Sequence, residues 1–274
     1  MGDACASIDN PIKICACTGQ RWCARCEDEV LRAKHGLHPL KDKMRFEAVM
    51  INAPGQLRNA RWFGDVSKLG LQVYENVLSK EQQRVLVEDI EKYQWRDSVS
   101  GRLKQSFGPS VNFKAQKAKV ANFHGVPQYC EWLFALLKSH TSLGIESMDI
   151  TSCFVQKYIP DLKSHFDFHT DDTFAYGDRI LGVSLLSDSY LSLYPTQFED
   201  VESCDRKLLK VKVPKGSVFL LDKEVRYDWR HAILPDDIQE TRISITLRES
   251  SDALKKTESG VEISKRAKQF IPPP

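Results

Sequence analysis

No apolar run in this 274-residue chain approaches the roughly 18 consecutive residues that a membrane-crossing helix needs, so no membrane partner is expected. Net charge is nearly absent too: 39 Lys and Arg against 37 Asp and Glu leave +2. That excludes a bulk polyanion binder of the histone kind, and any affinity for nucleic acid has to come from a local patch. The N-terminus has no apolar stretch of the signal-peptide type. It begins Met1-Gly2 but carries Ala6 where a myristoylation signal wants Ser or Thr, so neither secretion nor lipidation is expected. Internal repeats and low-complexity segments are missing as well. What is there is 42% hydrophobic and 28% charged residues, enough apolar mass for one large domain or a domain with a small module.

Eight cysteines are present, and Cys15, Cys17, Cys23 and Cys26 fall together as C-x-C-x5-C-x-x-C. Without a secretory signal the expected setting is cytoplasmic and nuclear, where thiols stay reduced and a disulfide framework does not form. Two close thiolate pairs can meet the tetrahedral geometry of Zn²⁺, with Gly19 easing the turn between them. A site closed by four protein ligands would be structural, and so small a knob could not fold without its metal. Four exposed thiols on an unstructured leader, a redox pair or an iron–sulfur cluster are the alternatives. Cys5, Cys130, Cys153 and Cys204 are scattered and read as ordinary small residues.

Residues 1–43 form this polar, cysteine-rich segment. In 44–147, expected to buttress the core (and, by the resemblance given below, to recognise substrate), Ser79 and Gln82 make a capping box. Val85, Leu86 and Ile90 then give a helix its apolar face, ending near Tyr93. Pro127 suits the first turn of a second helix carrying Trp132, Leu133, Leu136 and Leu137. Across 148–250 the pattern changes to eight short β-type runs: 150–158, 164–170, 179–187, 190–194, 208–213, 217–222, 226–233 and 241–248. Many short strands after two helices predict a mainly β protein with flanking helices (α+β), a sandwich or jelly roll. The charged tail, 251–274, is expected to be loosely ordered.

Three of these runs carry chemistry. With period 2, His165, Asp167, His169 and Asp171 share one face of a strand, and Phe166 and Phe168 the other. This offers two H-x-D pairs, and an H-x-D pair with a distant His is the set that binds Fe(II) on one side and leaves positions open. In 227–231 the alternation puts Tyr227, Trp229 and His231 on one face, so His231 would point into an aromatic-walled cavity. In 242–248, Arg242, Ser244, Thr246 and Arg248 face one way, and Ile243, Ile245 and Leu247 fill the core on the other. Two guanidinium groups on the concave side of a sheet are costly unless something anionic meets them, and a dicarboxylate can do so bidentately. Each run alone has an ordinary explanation; the three in this order point to one site that joins a metal to an anion.

These residues resemble the AlkB-type Fe(II)/2-oxoglutarate dioxygenases. The matching stretches are Tyr158-x-Pro160, H-T-D-D-T-F-A-Y-G-D-R-I (169–180), R-Y-D-W-R-H-A-I (226–233) and T-R-I-S-I-T-L-R-E (241–249). The string S-G-R-L-K-Q-S-F-G-P-S-V-N-F (100–113) and the cysteine spacing are similar to the homologue-4 branch. The resemblance implies a double-stranded β-helix (jelly roll) core, with Fe(II), 2-oxoglutarate and O₂ as cofactors. It implies His169, Asp171 and His231 as iron ligands, with His165 and Asp167 as neighbours. By the same implication Arg242 holds the remote carboxylate of 2-oxoglutarate, Arg248 sits near its keto-acid end or the substrate, and Tyr158 contacts it. Gln156 stands where several relatives have Asn. Asp172, shared with the branch, would support the iron or touch substrate.

The implied reaction hydroxylates a C–H bond and leaves succinate and CO₂; on an N-methyl group the product falls apart to formaldehyde and the free amine. Between Asp97 and Glu131 there is no acidic residue, while Arg102, Lys104, Lys114, Lys117 and Lys119 make a local +5. Such a basic lid suits an anionic partner: DNA phosphates, with Phe107 or Phe113 for base stacking, or an acidic protein surface. A solvated basic face without a partner is the plain alternative. The homologue-4 branch is associated with methyl-lysine in actin and with N6-methyladenine in DNA. The balanced overall charge favours the methylated, actin-like protein, with the chain acting as a monomer. A silent scaffold on the same fold is the other class of reading.

Overall fold

Alternating apolar and polar residues in the second half of the chain become strands close to where the pattern places them. The computed structural model describes residues 47–112, 114–197 and 207–274; the cysteine cluster at 15–26, Phe113 and Cys204 lie outside the described residues. Two sheets dominate. The larger has the order β2 (Leu71–Tyr74), β13 (Val218–Leu221), β10 (Tyr176–Leu185), β15 (Arg242–Ser250), β8 (Ile150–Tyr158), β4 (Leu103–Phe107) and β3 (Arg96–Asp97). The smaller runs β1 (Glu47–Ile51), β12 (Lys207–Val213), β11 (Ser189–Pro195), β14 (Trp229–Ile233) and β9 (Phe166–His169).

The pleat sends alternate residues to opposite faces, and each face of the large sheet has its own core. Val155, Leu181, Val183, Ile243, Ile245 and Leu247 pack outward under α2 (Lys80–Glu91) and α3 (Cys130–Ser139), short α1 (Val66–Leu69) lying elsewhere. The inward residues Val73, Tyr158, Ile180, Phe219 and Leu221 meet Leu191, Leu193, Leu209 and Val211 of the small sheet. A mainly β protein with a few helices results, its two sheets enclosing the space that a jelly roll encloses. Gly182 is required there: a Cβ would fall 1.9 Å from the Phe219 ring, which fills that part of the inner face.

Three expectations fail, the first being that Pro127 lies in a short strand and not in the first turn of α3, which begins at Cys130. The run 226–233 is not one strand. Residues Lys223–Tyr227 form a helical turn, α4, before β14 begins at Trp229, so Tyr227 is exposed and its hydroxyl donates to Asp178. The tail is not loose either. Ser251 and Thr257 cap α5 (Asp252–Lys255) and α6 (Glu258–Arg266), and β16 (Phe270–Ile271) pairs in parallel with β7 (Val126–Pro127). Leu254, Ile263 and Ala267 are buried in the outer core. Three apolar residues among many charges leave the segment's average polar, but on a helix i and i+4 share a face, and that suffices. Ile263→Ala should therefore cost about 2–5 kcal/mol in a denaturant unfolding curve, against roughly 0.5 or less for exposed Val261→Ala.

Candidate active site

Strands β9 and β14 are antiparallel neighbours, and their register sets His169 directly opposite His231. Opposed residues share a face, and the two rings lie 4.2 Å apart at 52°. Asp171 follows two residues beyond β9, where the chain turns back toward β10. One ligand atom from each of His169, Asp171 and His231 lies within 4.8 Å of the others. His165 and Asp167 are not in this group: they pair with each other, His165 Nε2 to Asp167 Oδ1 at 3.2 Å. Strict alternation also breaks. The ladder slips between His231 and Ile233, and Phe166 stacks on the His169 ring at 4.0 Å instead of facing away from it.

The electrostatics of the three groups suit a metal. His169 Nδ1 lies 2.8 Å from the Asp167 carbonyl, which can only accept, so Nδ1 carries the hydrogen and Nε2 keeps its lone pair. Burial first, and the neighbouring His231 second, push the His169 pKa down to about 3; burial likewise lowers that of His231. Burial opposes ionisation of Asp171, but Arg248, then the two histidines and Arg226, outweigh it and hold the carboxyl well below the usual range. Arg248 donates to Asp171 Oδ1 at 2.7 Å. Oδ2 of Asp171 and Nε2 of His169 are buried without partners, and His231 Nε2 is 3.6 Å from that Oδ2. Two imidazoles kept neutral by burial and one carboxylate, with His169 Nε2 and Asp171 Oδ2 unpartnered beside the His231 ring, are a donor set that fits Fe(II).

Above them, the inner face of the large sheet carries the residues expected to meet the co-substrate. Arg242 pairs opposite Tyr158, Ser244 opposite Gln156, and Arg248 opposite Ser152. Arg242 is 1% exposed, donates Nε to Ser184 Oγ at 3.2 Å, and has its guanidinium 5.3 Å from the Tyr158 ring. Its Nη1 and the Nε2 of Gln156 are buried donors without partners. Such groups are costly to leave unmet, and a carboxylate between them would satisfy both, so the residues present fit 2-oxoglutarate. Arg248 is turned to the metal ligand and lies over the Tyr176 ring, 4.7 Å away.

The remaining expected residues divide. Lys104 lies opposite Gln156 and shares its inner face. Lys114 and Lys117 are exposed on a hairpin of β5 (Ser110–Asn112) and β6 (Lys117–Lys119). Arg102 is no surface cation: it is buried, with its guanidinium 3.9 Å from the Phe166 ring. Phe107 is turned into the outer core, edge-on to Tyr93 at 5.5 Å, and is not presented to a base. Asp172 accepts from the Ala175 amide at 2.7 Å and closes the turn after the metal ligand.

One functional residue escapes the sequence reading. Arg226, 2% exposed, donates to the carbonyls of Asp171 (2.8 Å), Gly177 (3.0 Å), Tyr176 (3.0 Å) and Asp172 (3.1 Å). It staples the whole 171–177 turn. The string R-Y-D-W-R-H contains it, but a period-2 reading treats it as a strand residue facing away from His231, whereas the helical turn swings it inward.

The signature of the 2OG-Fe(II) oxygenase superfamily matches residues 70–248. Among curated proteins, the chain is 28% identical to the Caenorhabditis elegans DNA N6-methyl adenine demethylase, covering 86% of this chain and 87% of that one. It is 27% identical to the mouse alpha-ketoglutarate-dependent dioxygenase alkB homolog 4 over 97% of this chain and 98% of the relative. With the human homolog 4 it shares 26% over 92% and 91%. With that match spanning the strands that bring His169, Asp171 and His231 together, the chain belongs to the 2OG-Fe(II) oxygenase superfamily, as an AlkB-type 2-oxoglutarate/Fe(II)-dependent dioxygenase similar to homologue 4.

Proposed function

We propose that the chain removes N-methyl groups oxidatively, and that the methyl is carried by a lysine on an acidic protein surface. With O₂, Fe(II) and 2-oxoglutarate bound at such a site insert one oxygen atom into a C–H bond, the other leaving in succinate as CO₂ departs. The protein's part is positional. His169, Asp171 and His231 would hold the metal on one side, Arg242, Gln156 and Tyr158 would orient the dicarboxylate, and Arg248 would fix the Asp171 carboxylate. A methyl-lysine hydroxylated on that methyl is a hemiaminal, which releases formaldehyde and the amine without further help.

The observation that carries the protein substrate is the lysine hairpin. Lys114, Lys117 and Lys119 are exposed and, with Lys104, unpaired with any carboxylate among the described residues. They attract an acidic partner, and with Phe107 and Phe123 committed to the core, the described part of this segment offers no exposed Phe, Tyr or Trp ring for stacking a base. N6-methyladenine in DNA is the second reading, favoured by the name of the Caenorhabditis elegans relative. The reading includes a structural zinc at Cys15, Cys17, Cys23 and Cys26, which their spacing supports and metal analysis of the full chain would test.

The decisive experiment follows formaldehyde and succinate together over methyl-lysine actin peptide, whole actin and N6-methyladenine DNA. The expected result is equimolar release of both with the protein substrates. Faster turnover of the DNA would overturn the lysine assignment, and succinate production indifferent to every substrate would overturn demethylation.

A further inference from the structure

Tyr158 stands between two buried arginines. On one side β15 sets Arg242 opposite it. On the other, β4 pairs Leu103 with Lys157, and one step further along that register brings Arg102 opposite Tyr158. Opposed residues of antiparallel strands share a face, so Arg102, Tyr158 and Arg242 form one row across three neighbouring strands. Arg102 is 3% exposed and Arg242 is 1% exposed. The Tyr158 hydroxyl is within hydrogen-bonding reach of both guanidiniums and donates to Gln156 Oε1 at 3.2 Å.

The two arginines are also bonded alike. Arg102 donates Nε to the Val99 carbonyl at 3.2 Å, and Arg242 donates Nε to Ser184 Oγ at 3.2 Å. Each is left with a buried Nη1 that has no partner, and the Gln156 Nε2 is a third such donor. Of the other cations on this face, Arg248 is answered by Asp171 and Arg226 by four carbonyls, and Lys104, opposite Gln156, is only half-buried. Asp167, the carboxylate whose field reaches Arg102, is itself paired with His165. An unmet pair of guanidiniums flanking one tyrosine demands an anion, and at two strand spacings, about 10 Å between backbones, two arginine side chains can close on one carboxylate.

We propose that Arg102 is a second clamp for the co-substrate, holding the remote carboxylate of 2-oxoglutarate from the side of Tyr158 opposite Arg242. This rests on the co-substrate that the family implies. It also gives the clamp a mechanical consequence. Arg102 follows two left-handed residues, Ser100 (φ 58°) and Gly101 (φ 71°). Their turn is held because the Ser100 carbonyl accepts from the His165 amide (3.2 Å) and the Gly101 carbonyl from Ser164 Oγ (2.6 Å). The same segment runs on into the lysine hairpin. Bound 2-oxoglutarate therefore ties the root of the substrate-facing hairpin to the metal-bearing half of the molecule.

The test compares two ligands that differ only at the far end. The full chain, loaded with Mn(II) in place of iron, is titrated calorimetrically with 2-oxoglutarate and with 2-oxopentanoate, which has a methyl where the remote carboxylate would be. Arg102→Met should weaken 2-oxoglutarate by about tenfold or more and leave 2-oxopentanoate unchanged. Arg102→Lys, which keeps the charge and loses the fork, should show the same selectivity with a smaller loss, and it carries the test alone should the Met variant not fold. Equal weakening of both ligands, or 2-oxoglutarate binding within about twofold of wild type, would overturn the clamp. If the wild-type chain itself binds 2-oxoglutarate no better than 2-oxopentanoate, the co-substrate assignment falls first and the clamp with it.

Discussion

His169→Ala should reduce substrate-dependent succinate release to background, while His165→Ala should leave most of it. The two histidines are four residues apart in the same H-x-D pattern, yet their surroundings differ. His169 offers a buried, unpartnered Nε2 to the point where Asp171 and His231 converge, and its Nδ1 is occupied by the Asp167 carbonyl. His165 turns away, with Nδ1 2.8 Å from the Lys163 carbonyl and Nε2 against Asp167. Alanine at 169 removes one of three donors from a site that has no fourth protein ligand in reach among the described residues. Alanine at 165 strands the Asp167 carboxylate instead, a cost of about 1–3 kcal/mol that appears in an unfolding curve and not in turnover. Anaerobic Fe(II) with 2-oxoglutarate gives the direct readout: the visible charge-transfer band should vanish in the first variant and persist in the second. The reverse pattern would move the metal to the other H-x-D pair.

Arg226→Met should be the second most damaging change, although its side chain touches no ligand-binding atom. Methionine fills similar space but offers no donors, so four carbonyls of the 171–177 turn lose their shared partner. Asp171 also loses one of the positive charges that keep it ionised. Groups that orient metal ligands in this way typically carry about 10–100-fold in metal affinity. Titration with Fe(II) or Co(II) should show a loss of that size, and saturating metal should restore much of the turnover. Arg226→Lys, which can reach at most part of the carbonyl set, should fall between. Unchanged metal affinity in a folded Met variant would show that the turn holds its shape without the staple.

Much of this site was legible in the chain because strand alternation is a two-residue rule that needs only local information. It placed Arg242 and Arg248 on the inner face, Ile243, Ile245 and Leu247 in the core, and the strand boundaries of 150–158 to the residue. It failed where tertiary packing changes the local period. A slipped ladder between Phe166 and His169 put Phe166 on the histidine's own side, and a single helical turn carried Arg226 inward and Tyr227 out. Neither has a signature in composition. The basic stretch before the sheet was read by charge alone, and charge does not tell a buried arginine from an exposed lysine; the depth of Arg102 comes from a left-handed turn at Ser100 and Gly101. The helices after Ser250 were hidden by averaging over their many charges.

The C-terminal helix has a consequence for the order in which the molecule can be assembled. Arg266 donates Nη1 to the carbonyls of Val120 (2.8 Å) and Phe123 (2.9 Å), residues that close the segment after the lysine hairpin. The Tyr93 hydroxyl and the Gln128 amide both reach the Ile271 carbonyl. At Gly125 a side chain would strike the Gln269 carbonyl at 2.3 Å, so the two segments meet without room between them. These contacts span up to 178 residues of sequence. On a ribosome the hairpin's base must wait, unsupported, until residues 266–271 have emerged, and loop closure over such distances is slow. The sheets can form during synthesis, but the edge that carries the lysine hairpin is fastened only afterwards, which makes it the natural point for a chaperone or protease to inspect a chain that has not finished folding.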